Sequence, residues 1–319
     1  MRCVSKSWLP LISSPQFVKT HLKLSAKNQE FSLLYTNSNT KKILHTCSLN
    51  TIIYEEESPI SIPFELDGFD GKESSYRPLM FLDSCDGLFC VSSNEFRNIF
   101  IWNPSTRELK ELPLLSRDMR ACLSYYGFGY NERQDDYRVV VIAINKEDSN
   151  MVNLEIPSAT VGGLSGKFVN GRLHWSGNKF IFSLNLVDET YGNVALPNFE
   201  EKFEHLHWYL RNLGRNLCAF HRNIVRDERP RLDVWIMKEY GVVESWTKVA
   251  SVPVGYVLLP IFTVQDNKIL VKTGTGLMMY NSTHDSFKYY PIIQVGLTYD
   301  QISVYTVVEP RFSLMGVKI

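Results

Sequence analysis

One kind of segment recurs along this chain, and recurrence at a fixed length limits the fold more than any single residue does. Four copies can be read directly: Ile99 to Pro104 running on to Leu109 to Pro113, Phe180 to Asn185 running on to Val194 to Pro197, Leu232 to Met237 running on to Trp246 to Val249, and Leu277 to Asn281 running on to Phe287 to Pro291. Each is an apolar run, a polar turn, and a second run carrying an aromatic or aliphatic anchor, the texture of two strands joined by a turn. Aligned on Trp102, Leu184, Trp235 and Tyr280, the copies are 82, 51 and 45 residues apart. The last two steps match the ~40 to 50 residues of a propeller blade. The long step predicts another blade in between, with part of it missing. Most copies are also preceded by a strand pair around a tight Asp or Asn turn: Asp83 to Val91, Gly166 to Trp175, and Val264 to Val271. Asp-Gly and Asn-Gly supply the positive φ that a two-residue hairpin needs. Four strands per unit follow.

A four-stranded antiparallel sheet cannot bury both faces alone, and stacking such sheets radially solves the problem. The expected fold is therefore all-β, a β-propeller of about six four-stranded blades, one of them incomplete. Five units begin near residues 79, 125, 165, 206 and 260. A sixth would pair the carboxy-terminal strand Ile302 to Val308 with amino-terminal strands at Phe31 to Tyr35, Ile43 to Cys47 and Ile52 to Tyr54. Closure from both ends removes edges that would otherwise template aggregation. Helix is expected only at the start. Val4, Trp8 and Leu11 or Ile12 recur at helical steps, Ser14-Pro15 interrupts them, and Gln16 to Leu22 resumes. A short turn is expected near Glu200 to Leu206.

Composition bounds the function. Apolar residues make up 44% of the 319 and charged residues 21%, enough to build a core without disulfides or metal. The 34 basic residues balance the 34 acidic ones, so no overall field favours nucleic acid or an anionic membrane. Neither is expected as a partner. Six cysteines (Cys3, Cys47, Cys85, Cys90, Cys122, Cys218) contain no CxxC pair and read as reduced, mostly buried thiols. The longest apolar runs, RVVVIAI and GYVLLPIF, fall far short of the ~18 residues that span a bilayer. The expectation is a soluble, intracellular protein.

A search for chemistry returns no catalytic, cofactor-binding or metal-binding residues. His205 and His207 alternate on one strand, with His174 and His221 elsewhere, but no carboxylate or thiol completes a ligand set. Ser282, His284 and Asp285 are triad residue types crowded into one turn, where base and nucleophile cannot face each other. Asp135 and Asp136 read as a solvated turn rather than an acid and base pair. Gly127-Phe128-Gly129 lacks the third glycine of a dinucleotide site, and Gly274-Thr275-Gly276 lacks the P-loop lysine. Glu55-Glu56-Glu57 reads as a solvated loop. Trp102, Trp235 and Trp246 sit at repeated positions and are expected to pack the blades. If Trp235 fills an interface between blades, Trp235→Ala is expected to cost about 3 to 5 kcal/mol.

The segments SCDGLFCVSS, IWNPSTRELKELP, YGFGYNERQDDYRVVVI, LSGKFVNGRLHWSG, DVWIMKEYGVVESWTKV and GLMMYNSTHDSFKYYPI, taken in order, resemble the F-box associated domain of plant F-box proteins. That group is related to kelch-type propellers and includes the S-locus F-box proteins. The opening MRCVSKSWLPLISSPQFVKTHL resembles the second half of an F-box, without the leucine-rich and proline-rich helix that ordinarily precedes Arg2 to Trp8. The resemblance implies a partial F-box at residues 1–25 and a propeller interaction domain at 26–319. It implies a non-catalytic substrate-recognition subunit of a Skp/cullin/F-box ubiquitin ligase, located in cytoplasm or nucleus and needing no cofactor. Val4, Trp8, Leu11, Ile12 and Phe17 would touch the Skp-type adaptor, with contact weak or lost because the opening helix is absent. The propeller would hold a target protein whose contact residues the sequence does not name. The chain departs from the family pattern between Asn145 and Pro157, where a strand ending in Ser-Trp is usual, so the second blade is expected to be short of strands. The rival readings are a propeller enzyme or small-ligand receptor, and a truncated F-box protein without ligase activity.

Overall fold

The computed structural model describes Thr20 and Ile52 and residues 32–36, 43–48, 62–65, 80–93, 98–103, 108–113, 123–144, 165–177, 180–197, 207–213, 215–223, 229–253, 259–264, 268–273, 276–291 and 304–307. The expected helical segment at 1–25, apart from the helical Thr20, and the turn at Glu200 to Leu206 lie outside them. Among the described residues the elements are 22 strands and one 3-10 turn, Val243–Ser245. The chain divides into two compact units, one of residues 1–115 with 294–319 and one of residues 116–293.

The first unit holds two four-stranded sheets. In one, β1 (Ser32–Thr36), β2 (Ile43–Ser48) and β3 (Ile62–Glu65) pair in sequence. The far carboxy-terminal β22 (Val304–Val307) joins the other side of β1, Leu34 lying opposite Tyr305. This is the expected joining of chain ends, with one correction: the fourth strand is β3 and not Ile52 to Tyr54. Pro63 sits in β3, and proline is admissible there because the outer side of an edge strand needs no N–H donor. The other sheet runs β4 (Met80–Cys85), β5 (Leu88–Ser93), β6 (Asn98–Asn103), β7 (Glu108–Glu111). Its first hairpin turns at Asp86 (φ 49) and Gly87 (φ 77), the positive-φ pair expected of Asp-Gly. Phe89 and Trp102 pack with ring centroids 5.7 Å apart, and both are fully buried.

The second unit holds two further four-stranded sheets. One runs β14 (Tyr209–Leu213), β15 (Asn216–Asn223), β16 (Arg231–Met237), β17 (Trp246–Pro253). The other runs β18 (Leu259–Val264), β19 (Lys268–Lys272), β20 (Gly276–Asn281), β21 (Ser286–Pro291). Its remaining strands form one six-stranded sheet. Here β10 (Ser165–Val169), β11 (Arg172–Ser176), β12 (Phe180–Asn185) and β13 (Tyr191–Ala195) make a complete unit, and β8 (Leu123–Asn131) and β9 (Asp136–Ile144) are added beside β10. The expectation of about six four-stranded blades, one of them incomplete, is thus corrected in how the sheets are built. The described residues make four four-stranded sheets and one six-stranded sheet, into which the two-stranded blade is fused.

Glycine is what allows that fusion. β8 runs parallel to β10, pairing Tyr126 with Ser165 and Gly127 with Gly166. A Cβ on Gly166 would lie 2.5 Å from Cε2 of Trp175, and one on Gly127 would lie 2.6 Å from Cδ1 of Leu173. Only residues without a side chain let the two strands close over that cluster. Trp175 in turn donates its indole N–H to the Tyr126 carbonyl at 3.1 Å.

Two of the third-to-fourth strand turns in this unit, β12–β13 and β20–β21, share a device. The amide oxygens of Asn185 and Asn281 accept from the backbone N–H groups of Val187 (2.8 Å) and Thr283 (2.9 Å). Glu189 and Asp285 then take positive φ to re-enter the next strand. Asn131 and Asp135 do the same between β8 and β9. Between the sheets lie apolar clusters. Val169, Ile181 and Val194 meet Trp208, Leu217 and Met237, and Leu213, Val234 and Val252 meet Ile269, Val271 and Tyr280. The β14–β17 sheet is therefore covered on both faces, as alternation along its strands requires.

Candidate functional site

Among the described residues, several buried polar side chains hold neighbouring sheets together. His174 is fully buried on β11. Its Nδ1 lies 3.0 Å from the Lys167 carbonyl and can only donate there, which leaves Nε2 to accept from the Tyr240 hydroxyl at 2.7 Å. Burial, aided by the Arg172 charge, pulls its pKa down to about 4 against the opposing pull of the Lys167 carbonyl. The imidazole is a neutral pin between neighbouring sheets. His221 is also buried, stacked edge-on to Trp208 at 4.4 Å, and burial lowers its pKa despite the nearby Asp233 carboxylate. His207 is exposed, and His205 lies outside the described residues. Among the described residues no three His, Cys, Asp or Glu side chains gather where a metal could sit.

The triad-like turn does not assemble a triad. Asp285 is 2.6 Å from the Tyr280 hydroxyl and 3.3 Å from the Arg231 guanidinium, while His284 is exposed. Arg231 also donates Nε–H to Ser251 Oγ at 3.0 Å and a second N–H to the Ser251 carbonyl. On the other side of Ser251, the buried Asp233 accepts from its hydroxyl, from Lys248 Nζ at 2.8 Å and from Asn223 at 3.1 Å. Burial alone would raise the Asp233 pKa, but these bonds outweigh it and hold the carboxyl below its ordinary value. Tyr280 is pushed up to about 12, by burial first and by Asp285 second. The network runs from β17 through β16 to β20 and the turn after it, and it is a clamp between two sheets. Sequence reading missed it, because Asp233, Ser251 and Tyr280 come together only across strands.

The other candidates are structural as well. Asp135 occupies a positive-φ turn and accepts from the Tyr130 hydroxyl, while Asp136 is buried 3.8 Å from Arg138 Nε. Gly127 and Gly129 are close-packing positions, with Phe168 and Leu186 against Gly129. Cys85, Cys90 and Cys218 are free, buried thiols, and burial drives the pKa of Cys90 and Cys218 up. Trp102 is fully buried. Trp246 is buried and donates to the Ala195 carbonyl of the neighbouring sheet at 2.9 Å. Trp235 is only half-buried, with Lys248 Nζ 5.9 Å above its ring. Val4, Trp8, Leu11, Ile12 and Phe17, the expected adaptor contacts, lie outside the described residues, as do Glu55-Glu56-Glu57 and Gly274-Thr275.

What remains for function is surface. Among the described residues the exposed large apolar side chains are Tyr191 on β13 (72%), Phe287 (66%) and Tyr289 (43%) on β21, and Val242 in the β16–β17 turn. All stand on fourth strands or the turns leading into them. Nothing in their sequence context marks them, since the same residue types fill the core elsewhere.

Repeated four-stranded antiparallel sheets, with buried polar groups tied into sheet-to-sheet clamps and aromatics displayed on outer strands, define an all-β module of the propeller class. The F-box associated beta propeller domain matches residues 41–314, and the chain belongs to that family of plant F-box proteins. An F-box/kelch-repeat protein of Arabidopsis thaliana is 24% identical over 317 residues, covering 90% of this chain and 84% of that one. A second F-box protein from the same plant is 27% identical over 293 residues, covering 78% and 67%. The Arabidopsis F-box protein CPR1 is 24% identical, covering 79% and 68%. Among solved structures, YCF48 from Cyanidioschyzon merolae covers 86% of this chain and 95% of its own at 9% identity, with a TM-score of 0.42.

Proposed function

We propose that this chain is a substrate-recognition subunit of a Skp/cullin/F-box ubiquitin ligase, holding a target protein on its β-sheet domain. The family match over residues 41–314 carries the reading, because the relatives it groups are F-box proteins. The site chemistry supports it. The buried histidines and carboxylates described above serve as clamps, and recruitment asks for none of them as acid, base or nucleophile. Holding two proteins together raises their effective concentration, which by itself accelerates transfer between them. In this reading residues 1–25 form the adaptor-binding segment, with Val4, Trp8, Leu11, Ile12 and Phe17 as its contacts, and residues 26–319 form the interaction domain. The place of action is cytoplasm or nucleus, where cullin ligases and their targets meet.

The test is affinity capture of the tagged protein from its source tissue. With cross-linking before capture to retain weakly held partners, a Skp-type adaptor and a cullin are expected in the captured material, and Trp8→Ala with Leu11→Ala is expected to remove both while leaving the captured target in place. Capture that brings down neither adaptor nor cullin overturns the proposal.

A further inference from the structure

Asn170-Gly171 is the one Asn-Gly pair in the sequence, and it forms the two-residue turn between β10 and β11. The asparagines that open three other turns have their carboxamides engaged. Asn131 bonds the backbone of Arg133, Gln134 and Leu186, Asn185 that of Val187, and Asn281 that of Thr283. Asn170 differs from them. It is exposed, and among the described residues its carboxamide has no hydrogen-bond partner. The peptide joining it to Gly171 is equally unengaged: neither the Asn170 carbonyl nor the Gly171 N–H is bonded to a described residue. The turn is tied down one peptide further on, where the Gly171 carbonyl accepts from the Leu186 N–H at 3.1 Å.

A free carboxamide followed by an unhindered backbone nitrogen is a reactive pair. The Gly171 nitrogen attacks Cγ of Asn170, its proton passes to the side-chain amide group, and that group leaves as ammonia, closing a five-membered succinimide. Water then opens the ring. Addition at Cγ breaks the new bond and leaves aspartate; addition at the main-chain carbonyl carbon leaves isoaspartate, with the backbone running through Cγ. Ring closure needs Cβ and the Gly171 nitrogen eclipsed about the Asn170 Cα–C bond, which for an L-residue sets ψ near −120°. Asn170 already holds φ at 51°. Together these angles are those of the first central residue of a type II′ turn, about +60° and −120°. The positive φ of both Asn170 and Gly171 marks the present turn as type I′, and types I′ and II′ both connect hairpin strands through two residues. The reaction therefore converts one hairpin turn into the other. The unengaged Asn170–Gly171 peptide turns over, while Val169 stays opposite Arg172. Gly171 must leave its φ of +74, which a residue without Cβ does freely, and nothing lies within 4 Å of where a Cβ would stand.

We propose that Asn170-Gly171 is a self-modification site of the folded protein, closing to a succinimide and opening to aspartate and isoaspartate. The aspartate product has a counterpart in the same molecule, since Asp86-Gly87 turns β4 into β5 with φ of 49 and 77. Isoaspartate has none. Its extra backbone methylene breaks the register of a two-residue turn. The strands on either side hold the fused blade, β10 through the pairing of Gly166 with Gly127 and β11 through the bond from Trp175 to the Tyr126 carbonyl. Ageing at this turn therefore loosens the sheet where the two-stranded blade joins it.

Hydroxylamine, which cleaves the chain at a succinimide, is the probe. The folded full chain is expected to give fragments 1–170 and 171–319 at no less than a tenth of the rate of the chain unfolded in guanidinium, and Asn170→Asp is expected to give neither. On ageing at pH 8 without hydroxylamine, the tryptic peptide Phe168 to Arg172 should appear in its aspartate and isoaspartate forms before any other asparagine peptide changes. The isoaspartate form should show faster hydrogen exchange in β10 and β11 than the unaged chain. Cleavage of the folded chain slower than a tenth of the unfolded rate overturns the proposal, because the turn would then protect the pair. Deamidation at another asparagine ahead of Asn170 overturns it as well.

Discussion

His174 makes the clearest prediction from a single residue. Its pKa is about 4 when folded and near 6.5 when free, so the folded state disfavours the proton. A lowered folded pKa contributes stability that is complete above pH 6.5 and declines as the pH falls from 6.5 toward 4, to the extent of about 2 kcal/mol at pH 5. Urea unfolding at pH 7 and pH 5 should show this loss, and His174→Gln should reduce it; His221, lowered in the same direction, leaves a remainder. The tryptophans divide by burial. Trp102→Ala is expected to cost about 3 to 5 kcal/mol, as deletion of a fully buried aromatic does. Trp235→Ala should cost less, about 1 to 3 kcal/mol, since its ring is only half-buried under Lys248. Equal losses in a denaturant titration would contradict that division. Gly166→Ala should destabilise by about 1 to 3 kcal/mol through overpacking against the Trp175 ring, whereas any cost of Gly171→Ala arises from its φ of +74 and not from neighbours, because nothing lies within 4 Å of that position.

At the scale of elements, the strands and first hairpins were legible because they rest on local signals: alternating apolar residues, and Asp-Gly or Asn-Gly turns whose positive φ the structure contains at Asp86-Gly87 and Asn170-Gly171. β3 was not legible, since Pro63 argues against a strand until its place at an edge is known. The clamp between β16 and β20 was equally hidden. Arg231→Met removes its bonds to Ser251, Tyr280 and Asp285 and should cost about 1 to 2 kcal/mol, almost independent of salt, because the carbonyl and hydroxyl bonds dominate over the exposed ion pair with Asp285. A strong salt dependence of that loss in thermal unfolding would reverse the order of those contributions.

At the scale of the whole molecule, the chain's last described strand completes the sheet that its first begins. Deleting residues from Val304 onward takes β22 from β1 and leaves the edge of Ser32–Thr36 open within the first unit. The shortened protein should aggregate on heating, with the second unit's His174 and Trp246 contacts unaffected in hydrogen exchange, and a melt as reversible as that of the intact chain would refute this. What the amino-acid sequence by itself determined is the recurring unit, because strand alternation, turn residues and their spacing are written within some fifty consecutive residues. It also determined where that recurrence falters, since the short stretch after Ile144 is a matter of counting. Only the tertiary structure decided what the faltering unit becomes. Whether β8 and β9 would stand as a poor blade or fuse to a neighbour depends on Gly127 meeting Gly166 under Trp175, a contact between strands some forty residues apart. The sheet clamps have the same character. Ser251 and Tyr280 read as ordinary strand residues until packing brings a carbonyl, a hydroxyl and Arg231 to one point, and burial then gives those bonds their strength.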